Sequence, residues 1–111
     1  HSVSDHGIRI DGTDYSGALI ISADHLFTDW TAAAPDQLAE EHFGQVFELR
    51  PEIVILGTGR RQVFPGPRLM MSFYERGIGL EAMNTQAACR TFNVLVSESR
   101  NVAAALLPPD A

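Results

Sequence analysis

Gly57-Thr58-Gly59-Arg60-Arg61 has the residue types of an anion site. Glycines let a backbone turn its N–H groups toward a phosphate or carboxylate, and adjacent guanidinium groups add bidentate contacts. The segment follows the aliphatic run Ile53–Leu56, which is where open α/β sheets usually hold ligands. A dinucleotide fingerprint would need a third glycine three residues after the second, but position 62 is Gln. A tight turn with positive φ accounts for the same glycines and is the favoured account. Glu81 is a second candidate. Its run, Ile78 to Met83, is predicted to be a largely buried strand, so its carboxylate needs a cationic or hydrogen-bonding partner, and Arg90 on the following helix is a candidate by proximity in sequence. The ligand-binding candidates are therefore Gly57, Thr58, Gly59, Arg60, Arg61, Glu81 and Arg90.

No catalytic constellation accompanies them. Cys89 is four residues into a predicted helix, while His1, His6, His25 and His42 all fall in the first half, so no base is near it in sequence. A free cysteine there is expected to be a buried small hydrophobe. The histidines share no metal-ligand spacing, and no HExxH is present. The chain has no lysine, which removes both a Walker-type phosphate lysine and a Schiff-base lysine. No cofactor, metal or catalytic residue is expected.

Charge and cysteine content narrow the partners. Residues 1–48 hold nine acids and one arginine, and residues 49–111 hold five acids and seven arginines, for a net charge of −6. The acidic half argues against duplex nucleic acid, which needs several cations to displace condensed counterions. A single cysteine fits a reducing, cytoplasmic compartment. No apolar run approaches the roughly 20 residues of a membrane span, and no signal peptide is visible. The 111 residues, 45% apolar, fit one domain, with residues 1–6 expected to be poorly ordered.

The elements that must position these residues follow from periodicity. Gly7–Asp11 and Tyr15–Ser22 read as strands joined at Asp11-Gly12, with His25 to Trp30 as a short third. Phe27 and Trp30 suit a core or an exposed interaction patch equally well. Pro35 opens a predicted helix, with Ala39, Phe43, Val46 and Phe47 at helical spacing over 36–47. Ile53, Val54, Ile55 and Leu56 form a strand buried on both faces. A helix over 68–76 is stopped by Gly77, a strand spans 78–83, Asn84 or Thr85 caps a helix to about Glu98, and 101–107 is the last strand. The second half is thus βαβαβ, which favours a mixed or parallel sheet.

The runs RPEIVILGTGRRQVFP and RGIGLEAMNTQAACRTFNVLVSESRNVAAALLP, over 50–65 and 76–108, closely resemble a small bacterial and archaeal family of unknown function, an Mth-type α/β domain. Its mitochondrial relatives include complex I assembly factor three. The resemblance rests on Pro-Glu, the aliphatic strand, Gly-Thr-Gly, Gly-Ile, Glu-x-Met, Ala-x-x-Arg-Thr-Phe-Asn and the closing Val-Ala-Ala-Ala-Leu. It implies a three-layer α/β fold, with a central mixed β-sheet flanked by helices and the N-terminal β-strands packed against it. It also implies a non-enzymatic protein-binding or assembly factor with a protein partner, monomeric or weakly dimeric. The alternative is a small-molecule or anion-binding domain, or an enzyme, using the loop Gly57–Arg61.

Overall fold

A computed structural model describes residues 2–4, 7–32 and 34–111. Of residues 1–6, expected to be poorly ordered, His1, Asp5 and His6 lie outside the described residues, and Ser2–Ser4 forms strand β1. β1 pairs antiparallel with β2 (Gly7–Ile10), which turns into β3 (Thr13–Tyr15) through Asp11-Gly12. Both turn residues have positive φ, 49° and 83°, as a two-residue hairpin matching the strand twist requires. The predicted strand from Tyr15 onward breaks at 16–18, and its second part, β4 (Leu19–Ser22), joins a different sheet.

That second sheet positions the candidate site. β4, β5 (Leu26–Phe27), β6 (Ile53–Gly57), β7 (Gly79–Met83) and β8 (Val102–Leu106) lie in the order β5-β4-β8-β6-β7. β6 runs parallel to both β7 and β8, and β4 antiparallel to β8, so the sheet is mixed. The two parallel crossovers are helices α2 (Pro67–Glu75) and α3 (Thr85–Ser97). The alternation of β6 feeds two cores. Ile55 joins Ala88, Cys89 and Phe92 of α3 and Ile8 and Ile10 of the hairpin, while Val54 and Leu56 face Leu69 and Phe73 of α2 and Val46 of the short helix α1 (Gly44–Leu49). The expected three-layer α/β fold is therefore present, with the N-terminal strands sharing a layer with α3.

Helix ends follow their sequence signals. Asn84 caps α3 by accepting the Ala87 N–H at 2.8 Å. Gly77 (φ 70°) closes α2 by donating its N–H to Tyr74, while Ile78 donates to Phe73, so the last carbonyls are satisfied. The predicted helix over 36–47 is different. It consists of two 3₁₀ turns, Pro35–Gln37 and Glu40–Phe43, followed by α1. Between the turns Leu38 is extended and buried, and His42 Nδ1 accepts the Ala39 N–H at 2.9 Å. A continuous helix would have left Leu38 off the apolar stripe formed by residues 39, 43, 46 and 47. Burying Leu38 favours the break. Trp30 is a core residue: its indole N–H donates to the His42 carbonyl at 2.6 Å, and its ring packs 5.6 Å from Phe43.

β6 is paired on both sides and covered on both faces. Its amides at Val54–Leu56 are expected to exchange with solvent among the slowest in the protein. Hydrogen exchange read by NMR checks this; loop-like rates there would overturn the sheet order.

Candidate functional site

At the C-terminal ends of β6, β7 and β8, three chain segments meet. Thr58 is almost fully buried. Its N–H donates to the Met83 carbonyl at 2.8 Å, and its hydroxyl accepts from Val63 N–H and lies within bonding distance of the Arg61 and Met83 carbonyls. Thr85, fully buried at the start of α3, accepts the Gly59 N–H at 2.8 Å and donates to the Leu107 carbonyl at 2.7 Å. The Thr85 N–H returns to the Gly59 carbonyl, and the Leu107 N–H donates to Gly57. Two threonines thus tie the three strand ends together, and no buried side-chain polar atom among the described residues lacks a partner.

Each glycine has its own reason. Gly59 has φ 94°, and a Cβ there would sit 2.6 Å from the Ala111 oxygen. Gly57 has no positive φ, but a Cβ would meet Leu106 Cδ2 at 2.9 Å and the Thr85 Cα at 3.1 Å. The first is a conformational need and the second a close approach of strand and helix. The segment from Pro108 to Ala111 folds across this end of the sheet, with the Arg60 N–H 3.4 Å from the Ala111 oxygen. The N–H groups of Thr58, Gly59 and Arg60 therefore point at protein acceptors. The side chains of Arg60 and Arg61 are exposed and form no ion pair among the described residues, so they are the groups there best able to meet an anion.

Glu81 and Arg90 require a correction. Both are exposed, and they form no ion pair with each other. β7 is an edge strand rather than an interior one, so the burial that would have demanded a partner for Glu81 is absent. The order of strands, which periodicity does not encode, decides this. Glu81 instead lines a groove of about 470 Å³ together with Gln62, Phe64, Met70, Leu80 and Met83. The sequence reading missed Thr85 as a structural acceptor and donor, and it missed this groove. A Thr at the first helical turn directly after a strand is the signal that could have pointed to Thr85.

Cys89 is buried among the residues of α3 and the sheet, and desolvation pushes its thiol up from 9.0 to about 11. A buried thiol held protonated at neutral pH is a poor nucleophile. Away from this end, α2 is clamped to the 3₁₀ segment. Ser72 donates to Glu40, Arg76 donates to the same carboxylate at 2.9 Å, and the Arg76 guanidinium lies 4.1 Å from the Phe47 ring centroid. The Ser72 hydrogen bond first and Arg76 second hold the Glu40 carboxyl below its ordinary range.

Comparison with known proteins places this geometry in a family. The family described as "Protein of unknown function (DUF498/DUF598)" matches residues 1–107. The mouse protein named NADH dehydrogenase [ubiquinone] 1 alpha subcomplex assembly factor 3 is 34% identical over 97% of this chain, but that stretch is 59% of its own length, and the human one is 33% identical over the same shares. The chain thus spans under two thirds of these relatives. A Francisella tularensis protein named 13 kDa major membrane protein is 28% identical over 85% of this chain and 77% of its own. Among solved structures, a Xanthomonas campestris protein is similar at TM-score 0.89 and 36% identity, covering 98% of this chain and 83% of that one. A Bordetella pertussis Mth938-like domain is similar at TM-score 0.84 and 29% identity, covering 98% and 86%. No described helix is long and apolar enough to cross a membrane.

Two outcomes follow from the strand-end network and the buried thiol. Thr85→Val strands a buried N–H and a buried carbonyl, so it is expected to lower stability by about 2 kcal/mol or more, whereas Thr85→Ser should cost only about 1 kcal/mol for its methyl. Denaturant unfolding checks the pair, and equal effects would refute the bonding role. For Cys89, a folded-state pKa raised from 9.0 to about 11 means that its contribution to stability is intact below pH 9 and is lost as pH rises toward 11. Cys89→Ala should flatten that alkaline fall, measured as unfolding free energy against pH.

Proposed function

Because the chain belongs to the family described as protein of unknown function DUF498/DUF598, we propose that it is a non-enzymatic module that binds another protein during the assembly of a larger complex. The observation that carries this reading is a surface one. Phe64, Met70, Met71 and Tyr74, all within eleven residues on α2 and the segment leading into it, are exposed, Phe64 at 76% and Tyr74 at 79%. A stripe of large apolar side chains left in water marks an interaction surface more often than a chance exposure. Aromatic residues and methionine are also the types enriched at such contacts.

The mouse, bovine and human relatives are named as assembly factors, and carrying that role to this chain is part of the proposal. A single buried cysteine with a high pKa fits a reducing, cytoplasmic setting. The rival reading, an anion-binding domain at Gly57–Arg61, keeps one observation in its favour: Arg60 and Arg61 are exposed and unpaired among the described residues. Its backbone N–H cradle is already occupied by protein oxygens.

The test is recovery of the chain from its own cells at native abundance, with cross-linking and mass spectrometry, followed by reconstitution from purified components. One protein at a fixed stoichiometry, rebinding the purified chain, is expected. A chain that runs alone and retains no protein at fixed ratio would defeat the assembly reading.

A further inference from the structure

The exposed stripe lies beside the free edge of the sheet, and the two together define a more specific surface. In β7 the Gly79 N–H donates to Glu52 on the β6 side, and the Met83 carbonyl accepts from Thr58 there. Backbone groups alternate along a strand, so Gly79, Glu81 and Met83 bond toward β6 and Leu80 and Ala82 present theirs outward. Among the described residues, one of those outward groups has a partner: the Gln62 side-chain amide donates to the Ala82 carbonyl at 2.9 Å. That exposed amide occupies the place of a neighbouring strand's N–H, a plug on an edge that would otherwise be open to pairing. The groove of about 470 Å³ between the Gln62–Pro65 segment and β7 is walled by Phe64, Met70 and Leu80. Tyr74 continues the wall one helical turn beyond Met70.

Charge selects the occupant. Arg60 and Arg61 immediately precede Gln62, are exposed, and make no ion pair among the described residues, whereas Arg9, Arg76 and Arg100 each have a carboxylate. The Arg61 backbone adjoins the end of β7, its carbonyl and that of Met83 both within bonding distance of the Thr58 hydroxyl, so two exposed arginines flank that end, against the single carboxylate of Glu81 in the groove. A second copy pairing its own β7 here would bring only Glu81 to those arginines. It would also set two chains of net charge −6 against each other.

We propose that the outer edge of β7 takes an extended segment of another protein as a sixth strand, with apolar side chains two residues apart seated against Phe64, Met70 and Leu80, and with carboxylates at the end that meets Arg60 and Arg61. This rests on the protein-binding reading above and names its surface and partner chemistry. Gln62 swings away as the incoming backbone N–H takes the Ala82 carbonyl. Main-chain bonds then supply affinity and alternate side chains supply selectivity.

Dodecapeptides selected from a displayed random library against the intact chain provide the probe, with binding followed by fluorescence anisotropy and by amide NMR. Selected peptides are expected to alternate apolar residues before Asp or Glu. They should shift and protect the Leu80 and Ala82 amides, and they should fail to bind once their own backbone is N-methylated. Arg60→Ala with Arg61→Ala should weaken binding at least tenfold. Ala82→Pro removes an outward N–H that the β6 ladder does not use and should abolish it; Phe64→Ala, at an exposed position, serves the same purpose if the proline variant does not fold. Peptides that bind elsewhere, on α3 for instance, would overturn this surface while leaving the protein-binding reading intact. Failure to select any peptide, insensitivity to N-methylation, or concentration-dependent self-association through β7 would overturn it as well.

Discussion

The hydrogen bonds of Thr85 organise the end of the sheet where a ligand would otherwise be expected. One hydroxyl, fully buried, accepts from Gly59 and donates to Leu107, joining the loop after β6 to the end of β8 from the first turn of α3. Thr58 makes the complementary tie from β6 to Met83 at the end of β7. Parallel strands leave their C-terminal ends open unless something closes them, and in most α/β domains the opening is the binding crevice. Here the opening is filled by protein hydrogen bonds, with the Pro108–Ala111 segment laid across it. Gly57 and Gly59 follow from that closure, one to admit the Thr85 backbone and the other to make the turn.

Closure at this end moves the chemically interesting surface to the outside of the sheet. Phe64, Met70 and Tyr74 stand in water on the α2 side, next to a strand whose outer backbone groups have a single partner, Gln62, among the described residues. The core beneath is well filled. The Trp30, Phe43, Phe47 and Phe73 rings pack with centroids 5.0–6.4 Å apart, and Arg76 and Glu40 lock α2 against the 3₁₀ segment. α2 therefore presents its outer stripe from a fixed position, a condition for binding without a large ordering cost.

Much of the architecture was legible from residue patterns. The β-branched run 53–56, Asn84, Gly77 and the Asp11-Gly12 turn each carried local chemistry strong enough to place its element. What failed was non-local. Glu81 was expected to be buried because its strand resembles an interior one, but the chain crosses from β7 over β6 to β8 and leaves β7 outside. The helix over 36–47 failed for a related reason, since burial of Leu38 outweighs the helical spacing of its neighbours. The candidate loop was half legible. Gly57 to Arg61 was located and its turn anticipated, whereas the acceptor for the Gly59 N–H lies 26 residues away in Thr85 and no local pattern announces it.

The backbone N–H groups of Thr58, Gly59 and Arg60 are committed to protein oxygens, which leaves none of the three for an anion. Titration of the isotopically labelled chain with inorganic phosphate, against sodium chloride at matched ionic strength, tests it at those three amides. Their resonances are expected to move no more with phosphate than with chloride. A saturable, phosphate-specific shift at Gly59 and its neighbours, lost in the Arg60→Ala, Arg61→Ala variant, would contradict it and reopen the crevice as a binding site.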